Sequence, residues 1–199
     1  IYTKSKAEAR RVGNKVYQFL KEKLDLPINR AKSGIRRPVN FELLGHSFTA
    51  TYKKGERGKY QAVVSKSSWE NLKRKLKRIT KKTLPYSLKE RFELLKEVTR
   101  GWINNFRLGS IYTKLKKLDE WLRNRLRYCI WSDWKKLERK RKNLIKLGVD
   151  RGMAYAWSRT RMGGWAVAQS PILRTTITEK RLAKRGYESL VIYYQKVKV

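Results

Sequence analysis

The sequence predicts an α+β protein that is predominantly α, and three observations carry that expectation. Serine-led capping boxes stand in front of apolar stripes at helical spacing. Period-two alternation is confined to one short stretch between Phe41 and Val64. A hydrophobic fraction of 40% over 199 residues is enough for one large domain or two small ones, each with its own core.

Taken in order, Ser5-Lys6-Ala7-Glu8 is a capping box, and Ala9, Val12, Val16, Phe19, Leu20 and Leu24 follow at helical spacing, which predicts a helix from Lys6 to Lys23. Pro27 ends it, and 28–37 is polar and basic, with Arg36 and Arg37 at its end. The alternation from Phe41 to Tyr52 and from Tyr60 to Val64, with Gly55 and Gly58 between, reads as a short antiparallel hairpin. A second box, Ser67-Ser68-Trp69-Glu70, predicts a helix with Trp69, Leu72, Leu76 and Ile79 on one face and Lys73, Arg74, Lys77, Arg78 and Lys81 on the other. The third box, Ser87 to Glu90, predicts a helix through Phe92, Leu95, Trp102 and Phe106, ending near Gly109. The next runs from Tyr112 to about Trp134 on a stripe of Leu115, Leu118, Leu122, Leu126 and Ile130. Three amphipathic helices with short links make a bundle. A basic run follows, Lys135 to Lys142, then the aromatic and glycine-rich 155–165. Ser170-Pro171 reads as the start of a last helix that ends at Gly186.

Lys and Arg number 51 against 16 Asp and Glu, a formal net charge of +35. A folded chain this positive repels itself and calls for a polyanion; the seven Trp and eleven Tyr argue for a folded protein rather than a basic tail. The single cysteine, Cys129, excludes an internal disulfide and, with the single histidine His46, a protein-built zinc site, which points to a reducing, cytoplasmic compartment. No apolar run reaches transmembrane length, and 1–17 lacks a signal-peptide pattern. The start at Ile1, without Met, fits a piece of something longer.

Catalytic chemistry finds little support. Two-metal phosphoryl transfer needs converging carboxylates. The adjacent pair Asp119 and Glu120 would point about 100° apart on a helix and reads as solvated charge. His46 reads as a packed sheet residue, and Cys129 as a buried structural thiol. Positive evidence for binding lies in the basic segments: Lys73, Lys77, Arg78 and Lys81 on one helix face, Lys135 and the run Arg139, Lys140, Arg141 and Lys142, then Arg159, Arg161 and Trp165. For Trp157 to Trp165 two readings stand open, a buried aromatic plug and direct contact with base or sugar.

Several segments resemble, in order, the group II intron reverse transcriptase and maturase family. Leu24 to Ser33 (LDLPINRAKS) resembles the palm sequence after the catalytic Tyr-x-Asp-Asp turn. Phe41 to Phe48 (FELLGHSF) looks like the following palm motif, usually read as a primer grip. Arg100-Gly101-Trp102-Ile103-Asn104-Asn105-Phe106 resembles the thumb signature, with Asn105 in place of Tyr. Leu118 to Arg127 (LDEWLRNRLR) is similar to Leu-Asp-x-Trp-Ile-Arg-Arg-Arg-Leu-Arg. Resemblance continues through Trp131 to Lys135, Asn143 to Gly148, Gly164-Trp165 and Ser170-Pro171, although Ala166-Val167-Ala168 replaces residues that are commonly Arg and Ser.

The resemblance implies that 1–66 is the end of a reverse transcriptase palm and that 67–199 is a helical thumb and the maturase-specific domain X. It implies binding of structured intron RNA to assist splicing. In the parent protein it implies an RNA-directed DNA polymerase that holds an RNA/DNA template-primer duplex and uses Mg²⁺, with Lys32 near the incoming nucleotide and Leu44, Gly45 and His46 near the primer. The Tyr-x-Asp-Asp is not in this sequence, so the chain alone is expected to be inactive and to need no cofactor. Two further readings stand beside it, a polymerase fragment that mainly grips the duplex and a structural RNA-binding protein unrelated to splicing.

Overall fold

The computed structural model describes residues 1, 3–29, 33–50 and 60–198. It divides into two compact units, Ile1–Gln61 and Ala62–Val199. Ten α-helices and three short strands are formed among the described residues, which is the predominantly α, α+β composition read from the sequence.

The first unit opens with α1 (Lys6–Glu22). Ser5 caps it as expected: its hydroxyl accepts from the Glu8 N–H at 3.1 Å, while the Glu8 carboxylate accepts from the Lys4 N–H. None of its residues is buried: Ala9, Val12 and Leu20 of its apolar stripe are half-covered, and Phe19 is 56% exposed. Strands β1 (Glu42–Leu43) and β2 (His46–Ala50) pair antiparallel, Leu43 opposite His46. Leu44 and Gly45 link them with φ of 50° and 78°. Two left-handed residues in a two-residue link make a turn whose twist matches the strands. Glycine takes this conformation freely, whereas leucine holds it against steric strain. Strand β3 (Tyr60–Val64) extends the sheet in the order β1-β2-β3. The expected hairpin connection, with Gly55 and Gly58, lies outside the described residues.

The second unit is helical. Its first helix, α2 (Lys66–Ile79), begins earlier than the box at Ser67 predicts. Ser65 is the cap, accepting from the Ser68 N–H at 3.2 Å, because in a run of serines the first with extended backbone takes the role. Helix α3 (Leu88–Phe106) carries the reciprocal box read from the sequence: Glu90 N–H to Ser87 Oγ, and Ser87 N–H to Glu90 Oε2 at 2.7 Å. Those bonds hold the Glu90 carboxyl below its usual range. Helix α4 (Tyr112–Asp133) buries Leu115, Leu122 and Leu126 completely. Each such side chain contributes about 1.5–3 kcal/mol by leaving water.

Helices α5 (Leu137–Lys146) and α6 (Arg151–Ser158) pack on each other, and α7 (Gly164–Gln169) packs on α4. Beyond Ser170-Pro171 the structure differs from the expected single helix. Two short helices, α8 (Pro171–Thr176) and α9 (Glu179–Lys184), replace it, because Ile177 leaves helical geometry and Thr178 caps anew by accepting from the Arg181 N–H. Gly186, at φ 105°, follows α9. Helix α10 (Leu190–Val197) closes against α3 and α4.

Two buried polar centres join these helices, and the first corrects the reading of Asp119 as solvated. Asp119 is 1% exposed. Its carboxylate accepts from Tyr187 Oη at 2.6 Å, Leu190 N–H at 3.0 Å, Ser189 Oγ at 3.1 Å, and Arg123. Burial, with Asp119 beside it, pushes the Tyr187 hydroxyl well above its ordinary pKa. Glu120 alone meets the expectation of exposed charge, paired with Arg174 at 3.2 Å. At the second centre Arg91, 2% exposed, donates to the carbonyls of Ile79, Lys81 and Leu84 at 2.7, 3.0 and 2.7 Å. The Ile79 carbonyl is one that the end of α2 leaves without a helical partner, and those of Lys81 and Leu84 belong to the turn that follows, so Arg91 ties the helix end to its turn.

Candidate nucleic-acid interface

The cations predicted on α2 form one edge of a groove in the second unit. Arg74, Lys77, Arg78 and Lys81 fall at i, i+3, i+4 and i+7, the spacing that puts side chains on one helical face. The turn after α2 adds Lys82 and Thr83, and α4 supplies Arg125 and Tyr128 as the far wall. The groove holds about 430 Å³ and no carboxylate lines it. Like charges at i and i+4 oppose the helix by about 0.2–0.5 kcal/mol per pair, while cations near a helix C-terminus gain about 0.3–1 kcal/mol from the dipole. The dipole therefore makes a cationic rim tolerable at this end of α2, and a bound polyanion would remove the remaining repulsion.

Packing fixes the wall. Arg125 donates to Thr80 Oγ1 at 3.1 Å and to the carbonyls of Thr80 and Lys77 at 2.8 and 3.3 Å, so it serves as scaffold with a charged edge. The Cys129 thiol donates to the same Thr80 carbonyl at 3.2 Å, and its burial pushes its pKa up, as suits a structural thiol. Aromatic rings interleave with the cations. The Lys82 ammonium lies 5.3 Å from the centre of the Tyr128 ring, Trp165 meets Tyr128 edge-on at 5.9 Å, and Arg125 lies 5.9 Å from both Trp165 and Trp121. Lys73 covers Trp121 at 5.3 Å. Of the predicted binding residues, the fold thus gathers Lys73, Lys77, Arg78, Lys81 and Trp165, from elements nearly a hundred residues apart.

The run after Trp134 behaves differently. Arg139 and Lys142 are exposed, whereas Lys140 lies over the Trp131 ring at 4.5 Å and Arg141 pairs with Glu138 at 3.1 Å. Arg159 reaches the same Glu138 at 3.6 Å and stacks on Tyr155 at 3.7 Å. One carboxylate therefore offsets part of that patch. Lys135 and Arg161 are exposed in links between helices. Trp157 packs against the core, while Trp165 backs the groove, so the aromatic stretch divides between its two readings.

In the first unit, Arg36 and Arg37 are exposed ahead of a single 3-10 turn, Pro38–Asn40. Leu44 is 85% exposed at the tip of the β1–β2 turn, with Gly45 beside it, and His46 Nδ1 lies 3.3 Å from the Leu44 carbonyl oxygen. Lys32 lies outside the described residues. Among the described residues no group of three or more His, Cys, Asp or Glu converges as a metal site, and no helix is long and apolar enough to cross a membrane.

Lys82, Arg125 and Tyr128 were missed in the sequence. Their signal was present but faint: Arg125 and Tyr128 are three apart on α4 and so share a face, beside a leucine stripe that dominates the helix.

A carboxylate-free groove with aromatic backing on a helical unit is a basic surface, with the charge and rings that suit a polyanion. Residues 69–148 match the family described as group II intron, maturase-specific domain. Helices α3, α4 and α5 lie wholly within the match, as does α2 from Trp69 onward. No curated protein matches the chain.

Proposed function

We propose that the helical unit binds structured group II intron RNA and assists its splicing, gripping phosphates through the α2–α4 groove. The observation that carries this reading is the cation-lined groove without a carboxylate, set on elements that match a maturase-specific domain. An A-form groove is approached through phosphates and 2′-hydroxyls rather than base edges, which suits Lys and Arg on rigid helices. In the same proposal 1–66 is the end of a reverse transcriptase palm and 67–199 a thumb with domain X, and the parent protein is an RNA-directed DNA polymerase in which the exposed Leu44-Gly45 turn meets the primer strand of a template-primer duplex. The Mg²⁺ expected of such a parent has no carboxylate set to hold it among the described residues of this chain.

Filter binding of the full chain to a group II intron RNA and to an unrelated structured RNA of equal length, over a salt series, tests the proposal. Wild type is expected to prefer the intron. Changing Lys77, Arg78 and Lys81 together to Gln should weaken binding and shrink the salt slope by up to about 0.9 per lost phosphate contact. The pair Arg139→Gln and Lys142→Gln should do less, and Lys15, Lys21 and Lys23 changed to Gln on α1 least. Equal losses from all three variants, or a flat salt dependence, would overturn it.

A further inference from the structure

A second cleft, of about 230 Å³, lies where helix ends meet in the same unit. Trp134, Leu147 and Ile177 are the C-terminal cap residues of α4, α5 and α8, and together they make an apolar wall. Arg181, Lys184 and Arg185 of α9 and its cap make the opposite, cationic side, and no carboxylate lines the cleft. Arg181 is fastened in place, donating to the carbonyls of Leu147 at 2.7 Å and Thr176 at 2.6 Å. The side chains of Lys184 and Arg185 are exposed and have no ion-pair or hydrogen-bond partner among the described residues. Trp134 is half-buried, packed on Trp131 at 5.8 Å, so its ring is braced rather than free to collapse into the cleft.

We propose that this cleft takes one unpaired nucleotide of RNA, its base against the Trp134 indole and its phosphate on Lys184 and Arg185. The inference rests on the RNA-binding reading above but concerns a different place on the unit. The lining has two characters, and a nucleotide has the same two. A bare phosphate would leave the Trp134, Leu147 and Ile177 wall unused. A purely apolar ligand would leave three cations unanswered. A base stacks on an indole whatever its sequence, and its exocyclic N–H groups are donors for the carbonyls that helix C-termini present. An unpaired nucleotide enters without the cost of breaking a pair.

Two arms test this with the full chain. In the first, adenosine 5′-monophosphate is titrated into isotope-labelled protein. Among the seven tryptophan indole N–H resonances, the one lost in Trp134→Phe should shift, together with the Lys184 and Arg185 amides. Inorganic phosphate should shift the amides alone. In the second, an RNA duplex with one bulged nucleotide is compared with the fully paired duplex. Wild type should bind the bulged form roughly 5- to 160-fold more tightly, the range that one stacked base supplies. Trp134→Leu and the surface pair Lys184→Gln and Arg185→Gln should abolish that preference, while Lys77→Gln with Lys81→Gln should weaken both RNAs alike. A Trp134 resonance unmoved by the mononucleotide, or a bulge preference that survives the Lys184 and Arg185 changes, would overturn the proposal. Loss of all RNA binding in wild type would instead strike the groove reading, and the mononucleotide arm would still decide this one.

Discussion

Replacing Asp119 by alanine removes the acceptor for three buried donors at once: the Tyr187 hydroxyl, the Ser189 hydroxyl and the Leu190 N–H. Each orphaned donor costs about 1–3 kcal/mol, so the loss should be at least about 3 kcal/mol. Arg123 keeps Glu179 at 3.1 Å and adds little to that cost. Because these bonds tie α4 to the segment leading into α10, the loss falls on tertiary structure rather than on one helix. Urea unfolding of the full chain should show the lower midpoint, and thermal melting should drop by roughly 6–12 °C, at about 2–4 °C per kcal/mol for a chain of this size. The neighbouring change Glu120→Gln is the control. Both members of its ion pair with Arg174 are more than half exposed, and such a pair contributes about 0–1 kcal/mol. A loss below about 1 kcal/mol for Asp119→Ala, or equal losses for the two changes, would refute the assignment of Asp119 as the joint between helices.

Acid should act through Glu188, whose carboxyl is held below its usual range by hydrogen bonds from Arg100 at 2.7 Å and by the same charge, against a smaller opposing effect of burial. A depressed folded pKa contributes stability above the unfolded value of about 4.3, and that contribution is lost as pH falls through the lower folded value. Glu188→Gln should therefore flatten the acid limb of a stability-versus-pH curve, with a small cost at pH 7. Cys129, 1% exposed with its pKa pushed up by burial, should resist iodoacetamide at pH 8 in the native chain and react in urea; native-state labelling would contradict its place beneath Thr80. Primer extension by the chain with Mg²⁺ and dNTPs should give no template-dependent product, since the acids among its described residues do not converge on a pair of metal ions.

The order of helices was legible because each is announced locally. Ser5 and Ser87 cap where the pattern says, and Leu115, Leu122 and Leu126 are buried as their spacing requires. Errors fell where a local signal had a rival. A run of serines offered several caps and Ser65 took the role; between Pro171 and Gly186 the Ile177-Thr178 break split one expected helix into two. Asp119 was misread because its partners lie about seventy residues away, and nothing in a basic helix distinguishes a buried acid from a solvated one.

Composition and periodicity by themselves determined a basic, largely helical protein with a cationic face on α2, since charge and 3.6-residue spacing are properties of neighbouring residues. Only the tertiary structure decided which cations are free. Lys140, Arg141, Arg159 and Lys82 are occupied by Trp131, Glu138, Tyr155 and Tyr128, Arg91 is buried on backbone carbonyls, and Lys77, Arg78 and Lys81 line an open groove. The physical reason is that a cation's availability depends on the carboxylates, rings and carbonyls within a few ångströms of it, and where each helix ends and what it packs against decides that, as when Lys140 reaches Trp131 across the α4–α5 link and Arg159 of the α6 end reaches Glu138 on α5.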